Sequence, residues 1–414
     1  MRKLNMLALA VLFGFGFCIS AIAGDGAVRK IVVFKKGSKI DSKKFSNEGW
    51  EVGRKLKLIN AVVVTVPEKD SEKANRMAET KAYGDVLIVE NDFYTNWLRA
   101  DAAATLDNTG VKLADSEIEI PVPDMTVAAY GADLDPEIPW GVAKVGAPLV
   151  WKKWTGKGVK VGIVDTGIDL KHPDLIPNIV KTYNVITGGE GQDDQGHGTH
   201  VAGTIAAVRD NKGVVGVAPE ASLYIAKVLG ANGSGSLSDV VAGIDWAVLQ
   251  GVAVMNMSLG SPYPSEALAI AVKNAKEAGV AVVCAAGNDS GPVGYPAAYP
   301  GAIAISAGDE SGGMASFSSH GPQVAFIAPG VNINSTYLGG GYKALRGTSM
   351  ASPHVAGLAA LAVQGGATGP DAVLKALKGA AKPTPGMETD NQGNGMINAG
   401  DITVKKMSKQ LAAQ

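Results

Sequence analysis

Short apolar runs separated by polar stretches characterise residues 28–92. Two β-branched runs, 31–34 and 61–66, are followed by a stretch rich in Lys and Glu at 70–83 and then by another apolar run at 85–89. Short runs of this kind predict strands, and the charged stretch between them is typical of an exposed segment. The alternation therefore predicts a small α+β domain.

The hydrophobic pattern changes after a long interruption. No apolar period persists between residues 94 and 135, and several prolines break this stretch further, so residues 93–137 are predicted to be a linker and processing region. Beyond it, near-continuous apolar runs alternate with helical patterns at 238–249 and 265–277. These strand-like runs are 159–164, 223–228, 254–257, 280–285 and 302–306. Strands that are apolar on both faces predict a parallel sheet covered by helices, here within residues 138–414.

The N-terminus has the three parts of a secretory signal peptide. Arg2 and Lys3 precede an apolar run at 7–17, and Ala21-Ile22-Ala23 forms a small-residue cleavage site. Residues 1–23 are therefore predicted to be removed, which makes 24–92 the first retained unit and the protein a secreted one. The apolar run is shorter than the roughly 20 residues that a membrane span needs, so we expect no membrane anchor.

Composition excludes some classes of function. The 414 residues carry a formal net charge of −1, and no Lys/Arg cluster is interleaved with aromatic residues, so nucleic acid is not an expected partner. The block 28–92 is net basic and the rest net acidic, which predicts weak attraction between the two parts. Once the leader is removed, Cys284 is the sole cysteine of the sequence, so no intramolecular disulfide forms. On its apolar strand it is expected to be an inert core thiol.

Three segments each combine one reactive side chain with glycines and other small residues. They are 161–169 around Asp165, 196–203 around His197 and 347–357 around Ser349. Asp165 follows an apolar run, and catalytic groups collect at the carboxyl ends of parallel strands. His197 and Ser349 each open a pattern typical of a helix start, where free N–H groups stabilise negative charge. A serine hydroxyl needs an imidazole base, and the imidazole needs a carboxylate to fix its tautomer, so the three residue types form a coherent catalytic set.

Together with a fourth segment, 285–289 around Asn288, these segments resemble the subtilase (subtilisin) family of serine proteases, which has the same Asp, His, Ser order. The resemblance extends over residues 138–398 and implies a doubly wound, mostly parallel sheet with helices on both faces. It implies Asp165 as the orienting carboxylate, His197 as general base and then acid, and Ser349 as the nucleophile of an acyl-enzyme mechanism. Asn288 would donate its side-chain amide to the oxyanion. The implied activity is that of an endopeptidase acting on proteins or peptides.

The resemblance also implies a substrate groove. Segments 233–235 (Gly233, Ser234, Gly235) and 258–260 (Ser258, Leu259, Gly260) match strands that pair with an extended substrate backbone. Gly260, Gly287 and Gly294 match small positions that line the pocket for the residue before the scissile bond, which implies a preference for large apolar or aromatic residues there. Leu237 and Val240 would line an outer pocket where an aromatic residue is common in the family.

A calcium site and a propeptide are further implications of the resemblance. Asp174 matches a ligand of the family's tight calcium site, and the loop 208–214 matches the one that supplies a side-chain oxygen from Asp210 and carbonyl oxygens, among them those of Val208 and Val214. The N-terminal ligand of that site, expected near 135–137, is not the usual amide here. Residues 24–92 resemble the family's propeptide, which assists folding and inhibits by placing its end in the groove. We expect a monomer.

Other interpretations use the same residues. The Asp-Thr-Gly sequence at 165–167 is also typical of aspartic proteases, but that chemistry needs two such carboxylates and the chain has a single copy. His197 and His200 have a metal-binding spacing without a third ligand at a zinc-protease distance, so His200 is expected to be structural. Ser352 competes with Ser349 as nucleophile, and the preceding Gly-Thr favours Ser349. His172, His320 and His354 are expected to have structural or surface roles.

Two other functions remain open at this stage. One is an exported binding protein that has kept the fold and lost catalysis, although no triad or oxyanion residue is missing. The other is a transpeptidase that forms the same acyl-enzyme and passes it to an amine.

Overall fold

The computed structural model describes residues 22–23, 26–98 and 137–403. Most of the predicted signal peptide (1–23), most of the predicted linker (93–137) and the last residues of the chain lie outside the described part. Within the described ranges no helix is both long and apolar enough to cross a membrane.

The described residues from 22 to 98 contain an antiparallel sheet with two short α-helices. The elements are β1 (Ile22–Ala23), β2 (Ala27–Phe34), α1 (Ser42–Asn47), β3 (Glu51–Leu56), β4 (Ala61–Pro67), α2 (Ser71–Asn75), β5 (Val86–Asn91) and β6 (Tyr94–Asn96). Strand β2 lies centrally and pairs with β1, β4 and β5, while β3 pairs with β4. This is the small α+β arrangement that the alternating pattern predicts.

Both faces of this small sheet are buried because successive side chains of a strand point to opposite sides. On β2, Val32 and Phe34 pack against Phe45 of α1 within the small domain. Ile31 and Val33 belong instead to a cluster that includes residues of the large domain. A single strand therefore supplies both the core of the small domain and its docking face.

The large domain is built on a nine-stranded sheet within the described residues, in the order β17-β18-β14-β13-β12-β11-β7-β9-β8. All neighbouring pairs are parallel except β17 with β18. Its strands, with the hairpin β15–β16 and strand β10, are β7 (Lys160–Asp165), β8 (Ile179–Asn184), β9 (Ser222–Lys227), β10 (Ser234–Ser236), β11 (Val254–Met257), β12 (Ala281–Ala285), β13 (Ala302–Gly308), β14 (Val324–Pro329), β15 (Ile333–Tyr337), β16 (Gly341–Leu345), β17 (Ala381–Lys382) and β18 (Met396–Ile397). The helices are α3 (Trp140–Lys144), α4 (His197–Ala206), α5 (Leu237–Leu249), α6 (Glu266–Glu277), α7 (Thr348–Gly365), α8 (Pro370–Ala380) and α9 (Thr389–Gln392).

Helices cover both faces of this sheet, which confirms the predicted doubly wound α/β fold. Ala281 and Val283 of β12 belong to the cluster that contains α7 residues. Val282 and Cys284, the alternate positions, belong to the cluster that contains α5 and α6 residues. Burial on both faces explains why the strand is apolar throughout.

The first described residues of the predicted linker (93–137) include a short strand. Residues 94–96, which have no apolar period, form strand β6 and pair with β10 of the large domain. This strand depends on main-chain partners rather than on its own side-chain pattern, so periodicity could not detect it. The described part of the small-domain chain therefore continues to residue 98.

Candidate active site

Asp165 and His197 form a buried pair at the carboxyl edge of the large sheet. Asp165 is the last residue of β7, and His197 is the first residue of α4. Asp165 Oδ1 lies 2.8 Å from His197 Nδ1, and the two residues are 0% and 5% exposed. Because a carboxylate can only accept, Nδ1 carries the proton and donates it, which leaves Nε2 as the basic nitrogen of a neutral ring.

Asp193 fixes the start of the helix that carries His197. Its carboxylate accepts the N–H groups of Gln195, Gly196 and Thr199, each at 3.0 Å, and the Thr199 hydroxyl at 2.6 Å. Burial raises the pKa of Asp193, but these donors outweigh burial and bring the pKa below its usual value. Motif reading did not find Asp193, whose only signal is its position just before a helix start.

Ser349 lies in the first turn of α7 and is 3% exposed. The residue before this helix, Gly347, has φ 149°, a conformation that favours glycine. Ser349 Oγ donates to the Ser258 carbonyl at 3.3 Å, and Ser258 Oγ donates to the Ser349 carbonyl at 2.8 Å. Ser352 Oγ is fully buried and bonded to the same Ser258 hydroxyl at 2.8 Å, so it has a structural contact. This geometry favours Ser349 over Ser352 as the reactive hydroxyl.

Asn288 is held next to Ser349 through Thr348. Its Oδ1 accepts the Thr348 N–H at 2.8 Å and the Thr348 hydroxyl at 3.0 Å. Since a backbone N–H can only donate, these bonds identify Oδ1 and fix the orientation of the amide. The amide NH2 therefore points away from Thr348, and Asn288 itself is largely buried.

The two predicted groove segments lie on either side of residues 93–98 of the same chain. Strand β6 pairs antiparallel with β10, with Thr95 opposite Gly235. Trp97 N donates to the Gly233 carbonyl at 3.0 Å, and Gly260 N donates to the Trp97 carbonyl at 3.0 Å. The Trp97 indole also donates to the Gly235 carbonyl at 3.0 Å. An extended segment of the chain is thus bound by strand addition between the two segments.

Trp97 occupies an apolar environment beside this groove. Its ring stacks on Phe93 with centroids 5.8 Å apart, and both rings belong to the buried cluster that includes Leu237 and Val240. Leu259, in the second groove segment, belongs to the same cluster. Trp97 is therefore buried in the same apolar cluster as the residues predicted to line the outer pocket.

The three predicted pocket glycines differ in the space around them. A Cβ built on Gly260 would meet only the Tyr295 carbonyl oxygen, at 3.6 Å, so that wall is open. One on Gly294 would lie 3.2 Å from the Ser261 carbonyl oxygen, which is tight. Gly287 has φ 117° and would place a Cβ 2.8 Å from Ser319 Oγ. Backbone conformation and packing both favour glycine at position 287.

The predicted calcium loop is closed on Asp174. Val208 N donates to the Asp174 carbonyl at 2.9 Å, and Val214 N donates to Asp174 Oδ2 at 3.1 Å. The Glu137 carboxylate, 3% exposed, accepts the N–H groups of Asp210 and Asn211, both at 3.1 Å. Among the residues that the structure describes, no group of three His, Cys, Asp or Glu side chains could hold a metal.

The oxygens at this loop that could bind a metal ion are hard ligands. They are the second carboxylate oxygen of Asp174, the carboxylate of Asp210 and backbone carbonyls. That chemistry fits Ca²⁺. The Glu137 oxygens, in contrast, already accept two backbone N–H groups of the loop. At the position where the family usually has an amide ligand, this chain therefore has a carboxylate that holds the loop by hydrogen bonds.

Three of the other histidines have structural contacts, and the cysteine is buried. His200 Nε2 donates to the Ile333 and Lys343 carbonyls, and burial lowers the pKa of His200 to about 3. His354 Nδ1 donates to the Met350 carbonyl at 2.8 Å, and burial lowers its pKa to about 4. His172 Nε2 donates to the Gly341 carbonyl at 2.9 Å. Burial raises the pKa of the Cys284 thiol, which keeps it protonated and unreactive.

The small domain docks on the N-termini of two helices of the large domain. Asp92, fully buried, accepts the Ser238 N–H at 2.8 Å in the first turn of α5 and pairs with Arg29 at 2.7 Å. Glu90 accepts the Ala267 N–H at 2.9 Å and the Ser265 hydroxyl at 2.8 Å at the start of α6. Burial raises the pKa of both carboxyls, against the lowering effect of these donors. The sequence analysis did not identify Glu90 or Asp92, because the helix ends they contact are distant in sequence.

The large domain has a parallel sheet with a buried Asp–His pair at its carboxyl edge and a serine at the start of a neighbouring helix. It also has a groove that binds extended chain. Together these features define a serine hydrolase acting on peptides. Residues 156–395 match the model of the subtilase family. The chain belongs to this family and is a serine endopeptidase of the subtilisin type.

Several relatives are similar over most of their length. The chain is 44% identical to M-protease of Shouchella clausii over 330 residues, which cover 78% of this chain and 86% of that protein. It is 48% identical to Subtilisin Savinase of Lederbergia lenta over 266 residues, 63% of this chain and 97% of the relative. Subtilisin E of Bacillus subtilis is 44% identical over 274 residues, 63% of this chain and 69% of the relative.

Proposed function

We propose that the protein hydrolyses internal peptide bonds through an acyl-enzyme on Ser349, with His197 as the base and Asp165 as the group that orients it. The observation that carries this proposal is the buried 2.8 Å contact between Asp165 Oδ1 and His197 Nδ1. This contact fixes the tautomer in which Nε2 can accept a proton.

In the reaction, Ser349 Oγ attacks the scissile carbonyl carbon and its proton passes to His197 Nε2. Collapse of the tetrahedral intermediate breaks the C–N bond, and the imidazolium gives the proton to the leaving amine. A water molecule then attacks the ester, losing a proton to His197, and collapse returns that proton to Ser349 Oγ. Asp165 stabilises the imidazolium in both halves without taking its proton.

The tetrahedral oxygen carries negative charge and needs donors that are oriented in advance. The Asn288 amide fits this role because Thr348 binds its Oδ1 and leaves its NH2 as the donating side. The N-terminus of α7 adds the positive end of a helix dipole at Ser349.

The substrate is proposed to bind as an added strand between 233–235 and 258–260, in the manner of residues 93–98. The open wall at Gly260 supports a preference for large apolar or aromatic residues before the scissile bond. Trp97, seated with Leu237 and Val240, supports acceptance of an aromatic side chain in the outer pocket.

Residues 24–98 are proposed to act as a propeptide that inhibits by occupying the groove and is removed by the enzyme itself. The main-chain bonds of Trp97 to Gly233 and Gly260 support this role, because they use the groups that an incoming substrate needs. The signal-peptide pattern of 1–23 supports export before this processing, and the mature enzyme is proposed to act as a monomer in the periplasm or outside the cell.

Asp174 and Asp210, with the carbonyls of Val208 and Val214, are proposed to hold a calcium ion. When bound, the ion would crosslink the loop 208–214 to the segment around Asp174 and supply stability rather than catalysis.

A sulfonyl fluoride tests the nucleophile. The reagent should label Ser349 and abolish hydrolysis of a protein substrate, with the modified peptide identified by mass spectrometry. The Ser352→Ala variant is the matched control and should still be labelled at Ser349. Labelling at Ser352, or full activity after complete labelling elsewhere, would contradict the proposal.

A further inference from the structure

Lys227, at the end of β9, has a buried ammonium group next to the proposed catalytic residues. It is paired in register with Asp165 on β7, and its side chain is 4% exposed. Its Nζ donates to the Thr166 carbonyl at 2.7 Å, the Leu229 carbonyl at 2.8 Å and Asp194 Oδ1 at 2.6 Å. An ammonium group has three donors, so all of them are satisfied.

The three acceptors lie on the three segments that must be aligned for the reaction. Thr166 directly follows Asp165, and its N–H donates to Asp165 Oδ1 at 2.7 Å. Asp194 lies three residues before His197 and adjoins Asp193, the carboxylate at the start of α4. Leu229 leads into the groove segment that pairs with extended chain.

The chain between Lys227 and the groove is tied back to Asp165 as well. Val228 N and Leu229 N donate to the Asp165 carbonyl at 2.8 and 3.3 Å. The Lys227 ammonium binds the carbonyl of the same Leu229. Leu229 is therefore held by Asp165 through its amide and by Lys227 through its carbonyl.

We propose that Lys227 is a positioning residue that holds the Asp165–His197 pair in register with the substrate-binding segment that follows Leu229. This inference rests on the proposed function of those residues. A buried cation is expensive to maintain unless its partners are in place, so its three bonds give a cooperative unit rather than three independent contacts. The role goes beyond the triad because Lys227 touches neither the nucleophile nor the oxyanion.

The test compares two substrates of different length. Lys227→Met keeps the length of the side chain and removes all three donors. With a single-residue ester, which does not use the groove strand, kcat should fall by about 10- to 100-fold, the rate equivalent of one hydrogen bond to a charged group. With a tetrapeptide anilide the same fall in kcat should be joined by a rise in KM, because the strand after Leu229 is also released. Activities are referred to active sites titrated with a sulfonyl fluoride.

Lys160→Met is the matched control. Lys160 lies at the opposite end of β7 and donates to the Gln250 carbonyl at 3.0 Å, so its loss should leave kcat and KM unchanged on both substrates. Asp194→Asn keeps the ammonium and its two carbonyl partners, and should lower kcat by about two- to fivefold. If Lys227→Met does not fold, Asp194→Asn decides: a reduced kcat with normal melting supports the proposal, and wild-type kinetics overturn it.

Wild-type kinetics of a folded Lys227→Met variant would overturn the positioning role. An equal fall in kcat on both substrates, with the KM for the tetrapeptide anilide unchanged, would overturn it as well. In either case the wild type still labels at Ser349 and turns over, so the proposed function stands. A wild type that neither labels nor turns over would overturn both.

Discussion

Acidification is predicted to destabilise the protein through two histidines that take no part in the proposed chemistry. His200 and His354 are both fully buried, with pKa values lowered by burial to about 3 and about 4. Each donates from one ring nitrogen to backbone carbonyls, which suits the neutral ring. In the unfolded chain both rings regain an ordinary pKa of about 6.5.

The sign and size of the pH effect on stability follow from this difference in pKa between the folded and the unfolded state. Below pH 6.5 the unfolded chain binds two protons that the folded protein does not, so the unfolding free energy falls as the pH falls. Each group contributes about 1.4 kcal/mol per pH unit until the folded pKa is approached. Between pH 8 and 5 the loss is about 2 kcal/mol for each histidine and about 4 kcal/mol for the pair. Above about pH 8 the effect is nearly absent, because the unfolded rings are then neutral as well.

The measurement is equilibrium urea unfolding of the Ser349→Ala chain, which cannot digest itself, at half-unit steps from pH 8 to 5. His354→Asn retains a donor in the position of Nδ1, and His200→Gln retains one in the position of Nε2. Each single variant should halve the histidine contribution to the slope of unfolding free energy against pH, and the double variant should remove it. The raised pKa values of Glu90 and Asp92 act in the opposite direction but are common to all variants.

A single variant with the full wild-type slope would show that its histidine is protonated in the folded state. A parent chain whose stability does not fall between pH 6.5 and 5 would refute the reasoning for both.

Three further outcomes are expected. Asn288→Leu should lower kcat by about 10²- to 10³-fold with little change in KM, and an effect confined to KM in steady-state assays would contradict an oxyanion role. Ser349→Ala should accumulate as an unprocessed species starting near residue 24, whereas the wild type should lose the N-terminal part at a rate independent of protein concentration. Processing of the variant at the wild-type rate in a host without other exported proteases would contradict self-cleavage. Excess chelator should lower the melting temperature of the mature protein more than its turnover, as expected for an ion that binds the folded state, and an unchanged melting temperature would mean that Asp174 and Asp210 hold no calcium.

The sequence predicted the sheet best where its strands are buried on both faces. The apolar runs at 254–257 and 280–285 correspond to β11 and to β12 within one residue. Strand β8 was missed because it is an edge strand that is exposed or half-buried along its length and carries no continuous apolar run. Strand β6 was missed because its partners belong to the groove and its own side chains contribute no period.

The residues of the candidate site also differ in how well the sequence predicts them. The proposed catalytic residues Asp165, His197, Ser349 and Asn288 could be predicted because each lies in a short motif of small residues around one reactive group. The polar residues that hold them could not be, because their partners are distant in sequence. Lys227 bonds to Thr166, 61 positions away in the sequence, and to Asp194, 33 positions away. Contacts of such separation leave no local pattern.

The charge composition predicted attraction between the small and the large domain, but it did not predict the principal contacts between them. A net basic small domain was expected to be attracted to an acidic large one, and Arg54 does pair with Asp239 at 2.6 Å. Carboxylates of the small domain, Asp92 and Glu90, nevertheless bind the N-termini of α5 and α6, and the Asp92 contact is buried. Free N–H groups and a favourable dipole exist at those positions only when the helices are formed. Docking free energy is therefore linked to helix formation, so that the small domain favours the folded state of the domain it covers.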